Sequence, residues 1–285
     1  MGDNLDIFIS FATVMLGISM LIMILTQTVS TAVNLRGKKL AKALEALLAE
    51  AKVDVPTAAS VAHSVLTHRL VSDGVIVPRL APAIRKDELL RILEKLKTTM
   101  TAAEAAQFKD SNDTIEKWFD SAMDRAAHEF AGILRLVTVG FSLIVAFGMH
   151  LDTLELLSQL SSTTEMRAGL VASSASMMRH AESLQPKSAG TTTEDSESVD
   201  SLVKEAKGIR SDLTKAQLRL LPEPYPGLSY AIVNNGWRHL LGVLVSAVLL
   251  SLGAPFWFNM LRTASTLRPL LAAKADDETS PPAAT

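Results

Sequence analysis

Six histidines, 30 carboxylates and no cysteine set the chemistry this chain can attempt. The absence of cysteine removes thiolate metal sites, iron–sulfur clusters, disulfides and cysteine nucleophiles together. His63 and His68 stand five residues apart, off the i, i+4 spacing with which two imidazoles on one helix face ligate a metal, and they read as helix-surface residues. His128, Glu129 and Asp124 could handle protons beside a membrane, although solvation at an interface accounts for them better. His150 and His239 lie at opposite ends of one long segment, with Asp152 next to the first, and they meet only if the helices carrying them pack together. The most specific constellation is Trp118, Asp120, Asp124 and Arg125. Helical spacing puts the two aspartates on one face, with Trp118 and Arg125 on another at i, i+7. A tryptophan at a membrane interface, with acids pairing to a basic turn at Arg36 to Lys39, explains this set better than catalysis does. No G-x-S-x-G string, Walker loop or G-x-G-x-x-G fingerprint occurs. No catalytic, cofactor-binding or metal-binding residue is therefore assigned, and no cofactor or small-molecule substrate is expected.

The elements that must position these residues are set by hydrophobicity. The 285 residues are 48% hydrophobic and only 20% charged, with a mean hydropathy of +0.24, unusual for a soluble chain. From Ile7 to Leu35 there are 29 residues without a charge, enough helix to exceed a hydrocarbon core of about 30 Å. No basic region precedes this run, so it reads as a retained anchor rather than a signal peptide. A second run covers Ile133 to Met149, with Arg135 near enough to its end to snorkel. The third covers Leu240 to Phe258 between Trp237 and Trp257, 20 positions apart, which matches two interfacial belts separated by about 30 Å of helix. Pro255 is expected to kink it and free the carbonyl of Ser251.

Lysine and arginine near the span ends give the threading. Arg36, Lys38, Lys39 and Lys42 follow the first span, Arg125 and Arg135 flank the start of the second, and Arg262, Arg268 and Lys274 follow the third. The expected order is an extracytoplasmic N-terminus (1–6), span 1 (7–33), a helical cytoplasmic domain (34–131), span 2 (132–150), an extracytoplasmic segment (151–237), span 3 (238–258) and a cytoplasmic basic turn with a disordered tail (259–285). The inner domain shows helical spacing throughout, with a stripe at Leu40, Leu44, Leu47, Leu48 and Ala51, a restart at Pro56, a break through Ser72, Asp73, Gly74, Pro78 and Pro82, and a capping pair at Thr101 and Glu104. Its 15 bases against 14 acids from Arg36 to Glu129 exclude a nucleic-acid module by charge. Outside, Leu151 to Leu184 reads as one helix whose composition allows it to continue the second span, and 186–200 as a flexible acidic linker.

Once the spans are placed, Val33-Asn34-Leu35-Arg36-Gly37, Trp118-Phe119-Asp120 with Met123-Asp124-Arg125, Asp152-Thr153-Leu154, and Ser251-Leu252-Gly253-Ala254-Pro255-Phe256-Trp257-Phe258 resemble a widespread family of uncharacterised bacterial three-span membrane proteins. The family's last string continues with an aspartate where Asn259 stands here, and an aromatic-basic stretch after the Met-Asp-Arg string is replaced by Ala126 to Ala131. The resemblance implies a bacterial inner membrane and three spans, and brings no activity or cofactor. The fold class expected is an all-α integral membrane protein, and the function a scaffold or anchor in the bilayer that docks a protein partner through its inner domain. The alternative is a homo-oligomeric pore lined by Thr13, Ser19, Thr26 and Ser30; a membrane enzyme using His150, His239 and Asp152 comes third.

Overall fold

The computed structural model describes residues 2–51, 53–68, 80–100, 105–106, 108, 112–184, 199–215 and 236–279. Among them all regular structure is helical, in ten helices with no strand. These are α1 (Gly2–Ala32), α2 (Leu35–Glu50), α3 (Val55–Leu66), α4 (Lys86–Lys97), α5 (Asn112–Gly148), α6 (Thr153–Ser162), α7 (Thr164–Leu184), α8 (Val199–Lys215), α9 (Gly236–Ser251) and α10 (Ala254–Thr279). Two are long and apolar enough to cross a membrane, α1 over Asp3–Ala32 and α5 over Asp113–Gly148, while α9 and α10 meet that test only as a pair bent by 90°. The chain divides into two compact units, Val29–Leu136 and Met1–Thr28 with Val137–Thr285.

In the Val29–Leu136 unit, Asn34 takes a left-handed conformation (φ 50°) between α1 and α2 and donates its side-chain amide to Leu80 O at 3.1 Å. Gly37 is required there, because a Cβ would come within 2.7 Å of that same carbonyl. The stripe Leu40, Leu44, Leu47, Leu48 and Ala51 is buried. Asp54 caps α3 by accepting from Thr57 N at 3.3 Å with Pro56 in the first turn, and Glu88 accepts from Arg85 N at 3.1 Å to cap α4. Leu89, Ile92 and Leu93 of α4 meet Ile115, Phe119 and Ala122 of α5 in one core. Ser72, Asp73, Gly74 and Pro78 of the expected break, and the Thr101–Glu104 capping pair, lie outside the described residues.

The other unit is organised around α1, which is buried at every position from Ile9 to Met20. Phe11 meets Trp257 edge-on at 5.6 Å, Ser10 donates to Arg167 O at 3.1 Å, and Leu170, Met177 and Ala181 of α7 with Leu202, Ile209 and Leu213 of α8 complete the core. By contrast, the most apolar stretch of α5 is only 11% buried, with Leu136 and Ile144 exposed at 73% and 65%.

Four features differ from the sequence reading. Leu151 to Leu184 does not continue the second span: His150 sits at φ 49°, and bonds from His150 N to Phe147 O (3.4 Å) and Leu151 N to Ala146 O (2.9 Å) close α5 with a Schellman turn. The outer helix is then split at Thr163, whose backbone is extended; Leu156 is buried where Leu154 and Leu157 are exposed. The third run is broken before Pro255 instead of kinked by it, and passes for a span only as the pair α9 and α10 bent by 90°. The chain turns at Leu252–Gly253, with Gly253 at φ 83°, and Pro255 lies in the first turn of α10, where its missing N–H costs nothing. Trp257 is consequently 3% exposed, donating its indole N–H to Leu249 O at 2.9 Å, so it packs inside the protein instead of marking a belt opposite Trp237, which is 71% exposed. Finally, the basic turn and tail of 259–285 are helical as far as Thr279, because Leu261 and Ala264 are buried and the alanine- and leucine-rich sequence beyond favours helix. Residues 280–285, like 186–198 of the expected linker, lie outside the described residues, and Val199 and Asp200 already belong to α8.

Candidate functional site

The first turn of α6 and one face of α9 form a polar joint. Asp152 precedes α6 as its N-cap, its Oδ1 accepting from Leu154 N at 2.9 Å and Glu155 N at 3.3 Å. On α9, positions 239, 242 and 246 share a face by their i, i+3, i+7 spacing. His239 Nδ1 lies 3.0 Å from Asp152 Oδ2, Ser246 Oγ lies 2.6 Å from Thr153 Oγ1 and donates to Gly242 O at 3.0 Å. Gly242 between them lets the helices meet: a Cβ there would overlap the Asp152 carboxylate. The weak Gly-x-x-x-Ser pattern of the sequence is thus a contact.

A carboxylate is acceptor-only, so the contact is a hydrogen bond donated by Nδ1 of His239 to Asp152, which leaves Nε2 facing away from the carboxylate. The His150 ring stacks on His239 with centroids 5.9 Å apart and planes 20° from parallel. The two histidines at opposite ends of the outer segment do come together. This arrangement can orient a base at Nε2, and donor atoms of Asp152, Glu155 and His239 lie within 4.8 Å of one another, near enough to share a cation. A cation bound through Nδ1 would first have to displace its proton and the hydrogen bond it makes. With Asp152 only 9% exposed and tied down by two backbone N–H groups, the joint is best accounted for as a buried polar link between α6 and α9.

A second cluster, absent from the sequence reading, joins α7 to α8. His180 Nδ1 lies 2.6 Å from Glu205 Oε1 and its Nε2 3.4 Å from Asp212 Oδ2. Ser183 donates to Glu205 at 2.9 Å, and Lys215 lies 3.5 Å from Asp212. Burial pushes the Asp212 carboxyl up, but hydrogen bonds from Ser176 and His180 and the charges of Lys215 and His180 outweigh it and hold the group below its ordinary value. Histidine and its two acids are separated by 25 and 32 residues, and no local spacing signals such a meeting.

The constellation around Trp118 lies on α5. Trp118 is 40% exposed with Lys117 Nζ 5.8 Å from its ring centroid. Asp120 pairs with Lys86 at 3.5 Å rather than with the basic turn, Asp124 and Arg125 are exposed, and the acid that meets the turn is Glu129, 3.1 Å from Lys39. The physical reason is helical register: Glu129 lies beyond Arg125 on α5, so its carboxylate reaches the α2 start. Arg36, Lys38, Arg135 and Arg262 are all exposed. Compared with known proteins, the chain matches no family model, no curated protein and no solved structure.

Proposed function

We propose that this chain is an integral membrane scaffold of a bacterial inner membrane, with its N-terminus outside and the Val29–Leu136 unit docking a protein partner on the cytoplasmic side. The observation that carries the reading is α5 itself. One continuous helix bears a run whose leucines, valine and isoleucine (Leu136, Val139, Leu143, Ile144) are exposed, and at its other end the exposed Trp118 with Asp124 and Arg125 beside it. Exposed aliphatic side chains along one helix suit acyl chains; exposed tryptophan and arginine are residue types enriched among the side chains that anchor protein interfaces. Basic residues at Arg36 to Lys42 and the family resemblance support the orientation and the bacterial membrane. Of the polar face considered for a pore, Thr13, Ser19 and Thr26 are buried within the chain at 0%, 1% and 3% exposure and Ser30 is half-buried, which weakens that alternative.

The test is affinity purification from crosslinked native membranes with mass spectrometry. The reading expects a stoichiometric foreign protein that is lost from a Trp118→Ala, Arg125→Ala variant still inserted in the membrane; recovery of self-crosslinked chains alone would move the weight to an oligomeric pore. The His239–Asp152 pair favours one second reading, acid–base chemistry at the outer face, which requires His239→Gln to abolish cellular function while the variant still folds and keeps its partner.

A further inference from the structure

The apolar runs hold almost no ionisable group, yet the leucine that packs on the middle of one of them is the sequence neighbour of an ionisable cluster. Gly17 stands near the centre of the Ile7 to Leu25 stretch, and a Cβ there would touch Leu213 Cδ1 at 3.0 Å. The neighbouring Asp212 belongs to the cluster with His180, Glu205 and Lys215. α7 accompanies α1 from its outer end, where Arg167 meets Asp3 at 3.8 Å and accepts from Ser10 through its carbonyl. Asp212 and Lys215, flanking Leu213, therefore lie near the level of Gly17, about 15 Å of helix from Ile7. Hydrocarbon at that depth is hostile to them.

The outward face of α8 agrees. Lys204, Lys207, Ser211 and Thr214 are exposed and fall on one stripe at i, i+3, i+7 and i+10. The exposed stripe of α9 is of the opposite kind, with Leu240, Leu241, Leu244 and Val248. One set of helices is dressed for lipid and another for water, within a single compact unit.

We propose that α8 borders a water-filled recess reaching the depth of the α1 midpoint, with the cluster of His180, Glu205 and Asp212 in its wall. The outer segment thereby supplies the ionisable group that the spans lack. The proposal rests on the reading of α1 and α5 as membrane spans.

The chain has no native cysteine, so single-cysteine variants report one position each. Sealed vesicles with the extracytoplasmic face outward are treated with a membrane-impermeant maleimide, which reacts with a thiolate only where water reaches it. Ser211→Cys and Thr214→Cys are expected to label at a rate close to that of Ser158→Cys on exposed α6, while Ile144→Cys on α5 and Leu25→Cys on the exposed side of α1 label only after detergent is added. Protection of both α8 positions, with Ser158→Cys labelled, overturns the recess. Labelling of Ile144→Cys or Leu25→Cys in sealed vesicles would instead overturn the membrane reading beneath it, and the recess with it.

Discussion

At the residue scale, the joint between α6 and α9 depends on what is missing from one side chain. Gly242 faces the Asp152 carboxylate so closely that Gly242→Ala must push Asp152 off its backbone donors or separate the helices. Overpacking of this kind costs about 1–3 kcal/mol, and the variant should show a correspondingly lower thermal midpoint in detergent, whereas Gly140→Ala, whose Cβ would enter open space, should not. Asp212 gives a prediction in pH. Its carboxyl is held below the ordinary value despite burial, so the bonds responsible stabilise the fold above the unfolded value of about 3.9 and are lost as pH falls through the lower folded value. Wild type should lose more thermal stability between about pH 6 and pH 3 than Asp212→Asn does, measured in the same detergent. Asp152 was legible as a helix start, since aspartate before Thr-Leu-Glu is a cap signal. That its second oxygen would meet His239, 87 residues on, was not, because side-chain periodicity reports a residue's face and never its partner.

At the element scale, the apolar runs announced helices and the structure has helices at each. Alternation of period two was absent from the sequence, and the described residues contain no strand. The third run shows where such reading stops. Its length and flanking tryptophans fit a straight helix, but a bond from Gly253 N to Leu250 O and a φ of 83° turn the chain by 90°. A glycine inside an apolar run is ambiguous between close packing and a left-handed turn, and only the tertiary contacts of Trp257 with Phe11 and Leu249 choose. Gly253→Ala should destabilise by about 1–2 kcal/mol through the backbone alone, since the nearest atom to its Cβ, Pro255 Cδ, is a comfortable 3.7 Å away. Thermal unfolding followed by tryptophan emission would read this, and an unchanged midpoint would mean that the turn relaxes into a continuous helix. The charged faces of α7 and α8 illustrate the same limit. Their helical composition was visible, but nothing in it named the neighbour of the apolar side, which in the structure is α1.

At the scale of the whole molecule, the account turns on α5 crossing a bilayer. Only 11% of its most apolar stretch is buried within the chain, against 78% for α1, so α5 is the helix whose surface most needs lipid. The most direct measurement uses two single-cysteine variants of this cysteine-free chain, Glu116→Cys near the start of α5 and Ser158→Cys on α6, in right-side-out and inverted vesicles treated with an impermeant thiol reagent. Both positions are exposed in the fold, so the bilayer alone can protect them. The account predicts reciprocal labelling: Ser158→Cys reacts in right-side-out vesicles and Glu116→Cys in inverted ones. Labelling of both positions from the same side would contradict it, placing the two ends of α5 in one compartment and removing the membrane crossing on which the scaffold reading stands.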